Sequence, residues 1–358
     1  MFRNQVILEM IFQLLALFVT VGAFLPLIRC DHWLIRGWDF PRMQLFFFGL
    51  ALFPALFIFS FNDGNTGPDW IVVGMLAVAV GCLGFWIWPY TMLHPKQVLP
   101  GVGELGIRLL VSNVLMSNRE SEKLVALIRE KQPDIFVALE TDKWWNDKLA
   151  AVADDYPFSV ELPQDDTYGM VVRSRIEMID PSVEYIIREN IPSVHFKVKL
   201  SDGSTVRIHA VHPKPPYPDE DETSTARDAE LLIVGKRAKE HGGPTIVLGD
   251  LNDVAWSHTT RMFQRISGLL DPRVGRGLFS TFHASHWFMR WPLDHVFISD
   301  HFRVRDLERL PSVGSDHFPM FTDFSFEPAG EKDQETPEPD KGDKEEADEK
   351  ISAALEPA

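Results

Sequence analysis

Three apolar segments in the first quarter of the chain, Gln5 to Ile28, Met43 to Phe61 and Trp70 to about Leu93, restrict its fold more than any other feature. Each approaches or exceeds the roughly 20 residues that a helix needs to cross a hydrocarbon core. Arg3 ahead of the first run would suit a secretory leader, but the run is too long for a leader core, no small-residue cleavage site follows cleanly, and two more spans come after it. Three spanning helices are therefore expected, with Trp86, Trp88 and Tyr90 as an interfacial aromatic belt. Three crossings put the Ile28 to Arg42 loop on the same side as the rest of the chain, and the amino terminus and the Asn62 to Asp69 loop on the other. Arg29, Arg36, Arg42, Lys96 and Arg108 against Arg3 point to the cytoplasm for the larger part, in a bacterial inner membrane. Cysteine is silent here, because Cys30 and Cys82 lie in or beside the spans and nothing downstream carries a thiol.

Beyond this anchor, taken as 1–97, the sequence is globular over 98–326 and polar over 327–358. The last segment holds 12 Asp or Glu against 4 Lys, a net charge of −8, half of the −16 of the whole chain. Without aromatic residues it is expected to be a disordered acidic tail. The globular part is acidic as well, which argues against the basic face that a duplex phosphate backbone attracts.

Within 98–326 apolar runs alternate with helical patterns. Gly106 to Asn113, Asp134 to Glu140, Tyr168 to Ser174, Val194 to Leu200, Thr205 to Val211, Thr245 to Gly249 and Leu293 to Ile298 read as strands, with Asp202-Gly203 as a hairpin turn. Ser121 to Lys131, Thr225 to Glu240 and Thr259 to Ile266 read as helices. The order is that of a mixed, layered α/β domain, and no glycine-rich dinucleotide or P-loop motif follows any strand.

The strands end in chemistry. Asn113, Glu140, His212, Asp250 with Asn252, Asp294, and Asp316 with His317 all stand at or just past the end of an apolar run. Singly, each has a bland reading as a cap, a turn residue or a core histidine, and His295 is best read as packing. As an oxygen-rich set without thiols it suits a hard cation, Mg2+ or Mn2+, better than zinc.

The motifs Ser112-Asn113-Val114, Leu139-Glu140-Thr141, His212-Pro213, Gly249-Asp250-Leu251-Asn252, Leu293-Asp294-His295-Val296 and Ser315-Asp316-His317-Phe318-Pro319, in that order, resemble the endonuclease/exonuclease/phosphatase superfamily, with its pancreatic deoxyribonuclease-like fold. The spans and the Asp39-Phe40-Pro41-Arg42 loop look like a membrane-anchored bacterial branch of it. The resemblance implies a four-layered α/β sandwich, two packed mixed sheets flanked by helices, acting as a metal-dependent phosphoesterase. It assigns metal ligation to Glu140, Asn113 and Asp316. On this resemblance Asp250 is expected as the base for water, with Asn252 orienting phosphate or metal-bound water, His317 supported by Asp294 meeting the transition state, and His212 donating to a phosphate oxygen. Leu115 replaces the acidic residue that deoxyribonucleases of the superfamily carry two positions after the first asparagine. Nucleic acid and lipid or other small phosphodiesters both stay open as substrates. Lys143 with Trp144 and Trp145 could stack bases or simply pack, and Tyr168 could touch phosphate or pack. From a different class, an inactive membrane-tethered scaffold remains the alternative.

Overall fold

The computed structural model describes residues 2–62 and 68–356. The first part is a bundle of α1 (Phe2–Phe24), α3 (Arg42–Asn62) and α4 (Pro68–Ile87), with the one-turn α2 (Trp33–Arg36) between the first two. Its helices meet through Ala16, Val19, Ala23, Leu52, Leu76 and Ala79, while Leu14, Phe47, Ile71, Val78 and Phe85 stand exposed on the outside. The bundle is thus apolar on its inner and outer faces alike. Two helices, Ile7–Leu27 and Trp70–Tyr90, are long and apolar enough to cross a membrane; a third joins them if Trp33–Asp39 and Arg42–Ile58, bent by 65°, are one span. Most of the Asn62 to Asp69 loop lies outside the described residues.

Two of the arginines behind the orientation argument are structural. Arg36 donates to the carbonyls of Pro26, Ile28 and Cys30, and Arg42 pairs with the buried Asp39 at 2.5 Å. Arg36 thereby caps the irregular turns after α1, which would otherwise leave bare carbonyls at the bundle's edge, and Arg42 neutralises a buried carboxylate.

The second part is a sandwich. In chain order it comprises β1 (Gly106–Asn113), α5 (Ser121–Lys131), β2 (Ile135–Leu139), α6 (Lys143–Leu149), β3 (Phe158–Leu162), β4 (Met170–Ser174), β5 (Met178–Glu184), β6 (Ser193–Lys199) and β7 (Thr205–Ala210). There follow α7 (Thr225–His241), β8 (Thr245–Asp250), α8 (His258–Ser267), β9 (Asp294–Ile298), β10 (Phe302–Arg309) and β11 (Met320–Phe326). One sheet runs β10-β11-β1-β2-β4-β3 and the other β5-β6-β7-β8-β9. Both are mixed: β1–β2 and β7–β8 are parallel and the remaining neighbours antiparallel. The inward faces, among them Leu109, Val111, Val137, Leu139, Ile208, Ala210, Ile246, Leu248 and Val296, form one core. Helices α5 and α6 cover the outer face of the first sheet, and α7 and α8 that of the second. The two mixed sheets flanked by helices match the expected sandwich.

Helix ends follow local chemistry. Ser257 caps α8 by accepting from the Thr260 amide at 3.0 Å, and Gly242 and Gly268 end α7 and α8 with φ of 64° and 72°.

The carboxy-terminal segment corrects the sequence reading. Instead of a disordered tail, residues Asp343–Leu355 form α9, laid against α7 and α8. Ala347 and Ile351 pack on Leu232, Met262 and Ile266. Several of its charges have partners: Asp343 takes Arg265 at 2.6 Å, Glu346 takes His258 at 2.7 Å, and the Lys350 ammonium reaches both Asp31 (2.5 Å) and the fully buried Asp228 (3.0 Å). Upstream, the Gln334 side chain accepts from the Leu99 amide and donates to the carbonyls of Asp300 and Phe302. Composition shows that a segment is rich in acid but not that complementary cations await it elsewhere.

Candidate active site

Strand ends from both sheets converge at one edge of the sandwich. From the first sheet come Asn113 at the end of β1, Glu140 one residue past β2, and His317 ahead of β11; from the second come His212 two residues past β7, Asp250 at the end of β8, and Asp294 at the start of β9. Pairing of β8 with β9 sets Asp250 opposite Asp294. Close approach of β7 to β8 demands Gly249, whose φ is 145° and where a Cβ would lie 1.8 Å from the Val211 carbonyl oxygen. Glu140 and Asn252 both adopt left-handed backbone, φ 59° and 52°. Asparagine tolerates that conformation; for glutamate it is strain held by the surrounding structure.

The side chains form a continuous cluster. Asn113 Nδ2 donates to Glu140 Oε1 at 2.7 Å and to Asp250 Oδ2 at 3.1 Å, while its Oδ1 accepts from the Leu115 amide. His317 Nδ1 meets Asp294 Oδ2 at 2.8 Å, and its Nε2 stands 3.6 Å from Asp250 Oδ2. His212 Nε2 lies 3.9 Å from the same oxygen. The Asn252 amide donates to Asp250 Oδ1 at 2.9 Å, but its side chain turns to the Pro213 carbonyl. Asp316 stands at the rim, with Ser315 Oγ 3.3 Å from its carboxylate.

Burial sets the electrostatics. Desolvation pushes Glu140 up to about 7, because Asn113 and the His317 charge offset only part of it. Asp250 is raised too, by burial first and by Asp294, against the pull of His317. Burial opposes charge on His317, yet Asp294 and then Asp250 outweigh it and raise the imidazole to about 10. Burial lowers His212 against the pull of Asp250. The site is therefore an imidazolium among carboxylates that lack enough positive charge. Asp294 Oδ1 and His212 Nδ1 are buried without a partner among the described residues. Ligand atoms of Asp250, Asp294 and His317 lie within 4.8 Å of one another. Crowded, desolvated oxygen donors and no sulfur fit a hard divalent cation, which would relieve the charge deficit.

Of the other candidates, Tyr168 flanks the site and the rest lie away from it. Tyr168 packs its ring 5.5 Å from that of His212 and donates its hydroxyl to Glu220. Trp145 is fully buried, Trp144 lies between the Arg119 and Lys148 side chains, and Lys143 pairs with Asp147 on the surface. His295 is a core residue, bonded to Arg273 and the Asp253 carbonyl.

Sequence reasoning missed the supports. Ser315 Oγ donates to the Asn113 carbonyl at 2.8 Å and accepts from the His317 amide at 3.0 Å, which stitches the last loop to β1. Its place in the Ser-Asp-His motif was the available signal. Thr281 Oγ1 accepts from the amides of Leu293 and Asp294, and the Phe282 ring lies 4.9 Å from that of His317. Nothing in the local sequence marked either residue.

A two-sheet α/β sandwich with acid, amide and imidazole groups gathered at its strand ends is the layout of a hydrolytic domain. Residues 110–317, more than half of the chain, match the Endonuclease/Exonuclease/phosphatase family, and the chain belongs to that family. A UPF0294 protein of Vibrio campbellii is 29% identical over 137 residues, an alignment that takes in 37% of this chain and less than half, 45%, of that relative. Among solved structures, an endonuclease/exonuclease/phosphatase from Beutenbergia cavernae aligns with a TM-score of 0.51 at 17% identity over 63% of this chain and 72% of its own. The human Nocturnin catalytic domain, solved with bound sulfate, aligns with a TM-score of 0.50 at 18% identity over 63% of this chain and 96% of its own. At these identities the structural likeness concerns the fold.

Proposed function

We propose that the protein is a membrane-anchored, divalent-metal-dependent phosphodiesterase. The observation that carries the reading is the buried arrangement of Asp294, His317 and Asp250, joined through Asn113 to Glu140. Glu140, with Asn113 bonded to it and Asp316 at the rim, would hold Mg2+ or Mn2+, and a cation there would supply positive charge to the phosphate oxygens.

Each remaining residue has one task. Asp250, raised by burial, aligns a water and takes its proton as the water oxygen bonds to phosphorus. The ester P–O bond breaks, and the leaving oxygen gains a proton from solvent, so that a phosphate monoester and an alcohol result. Asp294 keeps His317 charged and fixes its ring, so that Nε2 points at the oxygen charge of five-coordinate phosphorus. His212 donates to a non-bridging oxygen, and Asn252, whose side chain rests on the Pro213 carbonyl, orients the phosphate only by turning from that contact, while its backbone amide holds Asp250.

In this reading residues 1–97 cross a bacterial inner membrane three times, 98–326 is the catalytic unit on the cytoplasmic side, and the remainder braces it. Cleavage of that unit by protease added outside spheroplasts would refute the placement. The chemical test is turnover of bis(p-nitrophenyl) phosphate by the full chain in detergent. We expect Mg2+- or Mn2+-dependent release that chelator abolishes and that falls by on the order of 10³-fold in Asp250→Asn and His317→Ala, with folding unchanged. Full turnover in either variant defeats the assignment. An inactive scaffold would bind no metal and turn over nothing.

A further inference from the structure

The catalytic edge of the sandwich rests on the membrane bundle. Ala255 accepts from the Tyr90 hydroxyl at 2.7 Å and Trp256 Nε1 donates to the Asp39 carbonyl at 2.7 Å, both within six residues of Asp250. One apolar cluster unites Ile87 and Tyr90 with Trp256 and Leu293, and the rings of Phe40, Phe46, Phe282 and Trp291 pack against it. The side chains that surround the site and those that end the spans share a single interface.

From that interface projects a hairpin that no catalytic task employs. Phe282 and Trp291 exchange backbone hydrogen bonds, and the His283 amide donates to the Met289 carbonyl at 3.1 Å. At its tip Trp287, Phe288 and Met289 are 82%, 53% and 40% exposed. Three consecutive large apolar side chains in water would be a liability, and at a membrane surface they are an anchor. The position is fixed by contacts. Gln44, in the first turn of α3, donates to the Phe288 carbonyl at 2.8 Å, and Trp291 meets Phe40 edge to face at 5.7 Å. The tip therefore lies level with the start of an apolar helix, where a bilayer's headgroup layer would be. The hairpin's other end is in the site: Phe282 pairs with His317 in a β-bridge, and the Ala284 amide donates to the Asp316 carbonyl at 2.7 Å.

We infer that the Phe282–Trp291 hairpin seats in the headgroup layer and that the substrate is a phosphodiester presented by the bilayer, a phospholipid headgroup, rather than nucleic acid. This rests on the phosphodiesterase reading above. A short wall joins the bilayer to His317, so a headgroup phosphate reaches the cluster without its lipid leaving the membrane. The acidic globular part provides no electrostatic attraction for a polynucleotide.

The test uses the full chain in nanodiscs of phosphatidylcholine and phosphatidylglycerol with Mg2+. Headgroup release is measured beside turnover of bis(p-nitrophenyl) phosphate and single-stranded DNA, for the wild type and for Trp287→Ser combined with Phe288→Ser. The expected result is lipid turnover at least about tenfold lower in the double variant, with the soluble ester within about twofold. DNA cleavage without lipid cleavage, or lipid cleavage indifferent to the variant, overturns the inference and leaves the hydrolase standing. No turnover of the soluble ester by wild type removes the hydrolase reading, and this substrate with it. Seating is read separately from a fluorophore on Trp287→Cys in a chain lacking Cys30 and Cys82: quenching by lipid-borne but not aqueous quencher is expected, and the reverse refutes it.

Discussion

Asp294 shows how one residue's surroundings set its part in the chemistry. It is almost fully buried, has one oxygen on His317 and the other without a partner among the described residues, and pushes the imidazole up to about 10. A group raised in this way is charged below that pH and loses its proton above it. In the wild type, the limb of activity that depends on the imidazolium should therefore fall only as pH rises toward 10. In Asp294→Asn that limb should move to lower pH, and kcat should drop on the order of 10²- to 10³-fold; a pH–rate profile of both proteins checks this. Gly249 is a residue-scale prediction about stability. Gly249→Ala forces a Cβ against the Val211 carbonyl at a φ of 145°, and should cost about 3 kcal/mol or prevent folding, as read from urea unfolding. The six strand-end groups were legible in sequence because chemistry-bearing residues interrupt apolar runs there. Ser315 and Thr281 were not, since a hydroxyl that braces a neighbouring loop has no local signature.

Among the elements, α7 carries the clearest pH dependence. Glu230 is buried in it, its Oε1 has no partner among the described residues, and burial raises its carboxyl to about 8. The folded protein thus holds a proton that the unfolded chain releases near 4.5, and stability contributed below that pH is lost as pH rises toward 8. Glu230→Gln should leave unfolding free energy at pH 5 nearly unchanged and raise it at pH 9, by on the order of 4 kcal/mol at about 1.4 kcal/mol per pH unit; denaturant melts at both values test this. Helix α9 makes the complementary case. Removing the Lys350 ammonium strips a partner from Asp228, so Lys350→Met should destabilise by roughly 3 kcal/mol. Continuous apolar strands such as β2 and β8 were readable from sequence. The edge strand β3, half-exposed along its length, was not, nor was β5, which carries Pro181 and alternates little. Strand β11 hid between the Ser-Asp-His-x-Pro motif and the acidic segment, and α9 hid behind its own charge.

For the whole molecule, the helical bundle and the sandwich are built against each other rather than strung together. Replacing both Tyr90 and Trp256 by phenylalanine leaves the Ala255 and Asp39 carbonyls bare. At about 1 kcal/mol per bond, the thermal midpoint of the full chain should fall by roughly 4–8 °C. Two long apolar helices and the layered α/β class were evident from hydropathy and element order. The joint was not, because contacts 217 residues apart, as between Asp39 and Trp256, leave no trace in local periodicity. The grip of Lys350 on both Asp31 and Asp228 has a consequence in time. A ribosome delivers Asp31 more than three hundred residues before Lys350, so the ammonium that bridges the first loop to the sandwich arrives after both of its carboxylate partners. Before it does, the loop can already pair with the sandwich through the Trp33 amide on the Glu222 carbonyl and the Ser224 amide on the Asp31 carbonyl, beside the Tyr90 and Trp256 contacts, and the ammonium then adds charge to a joint that exists.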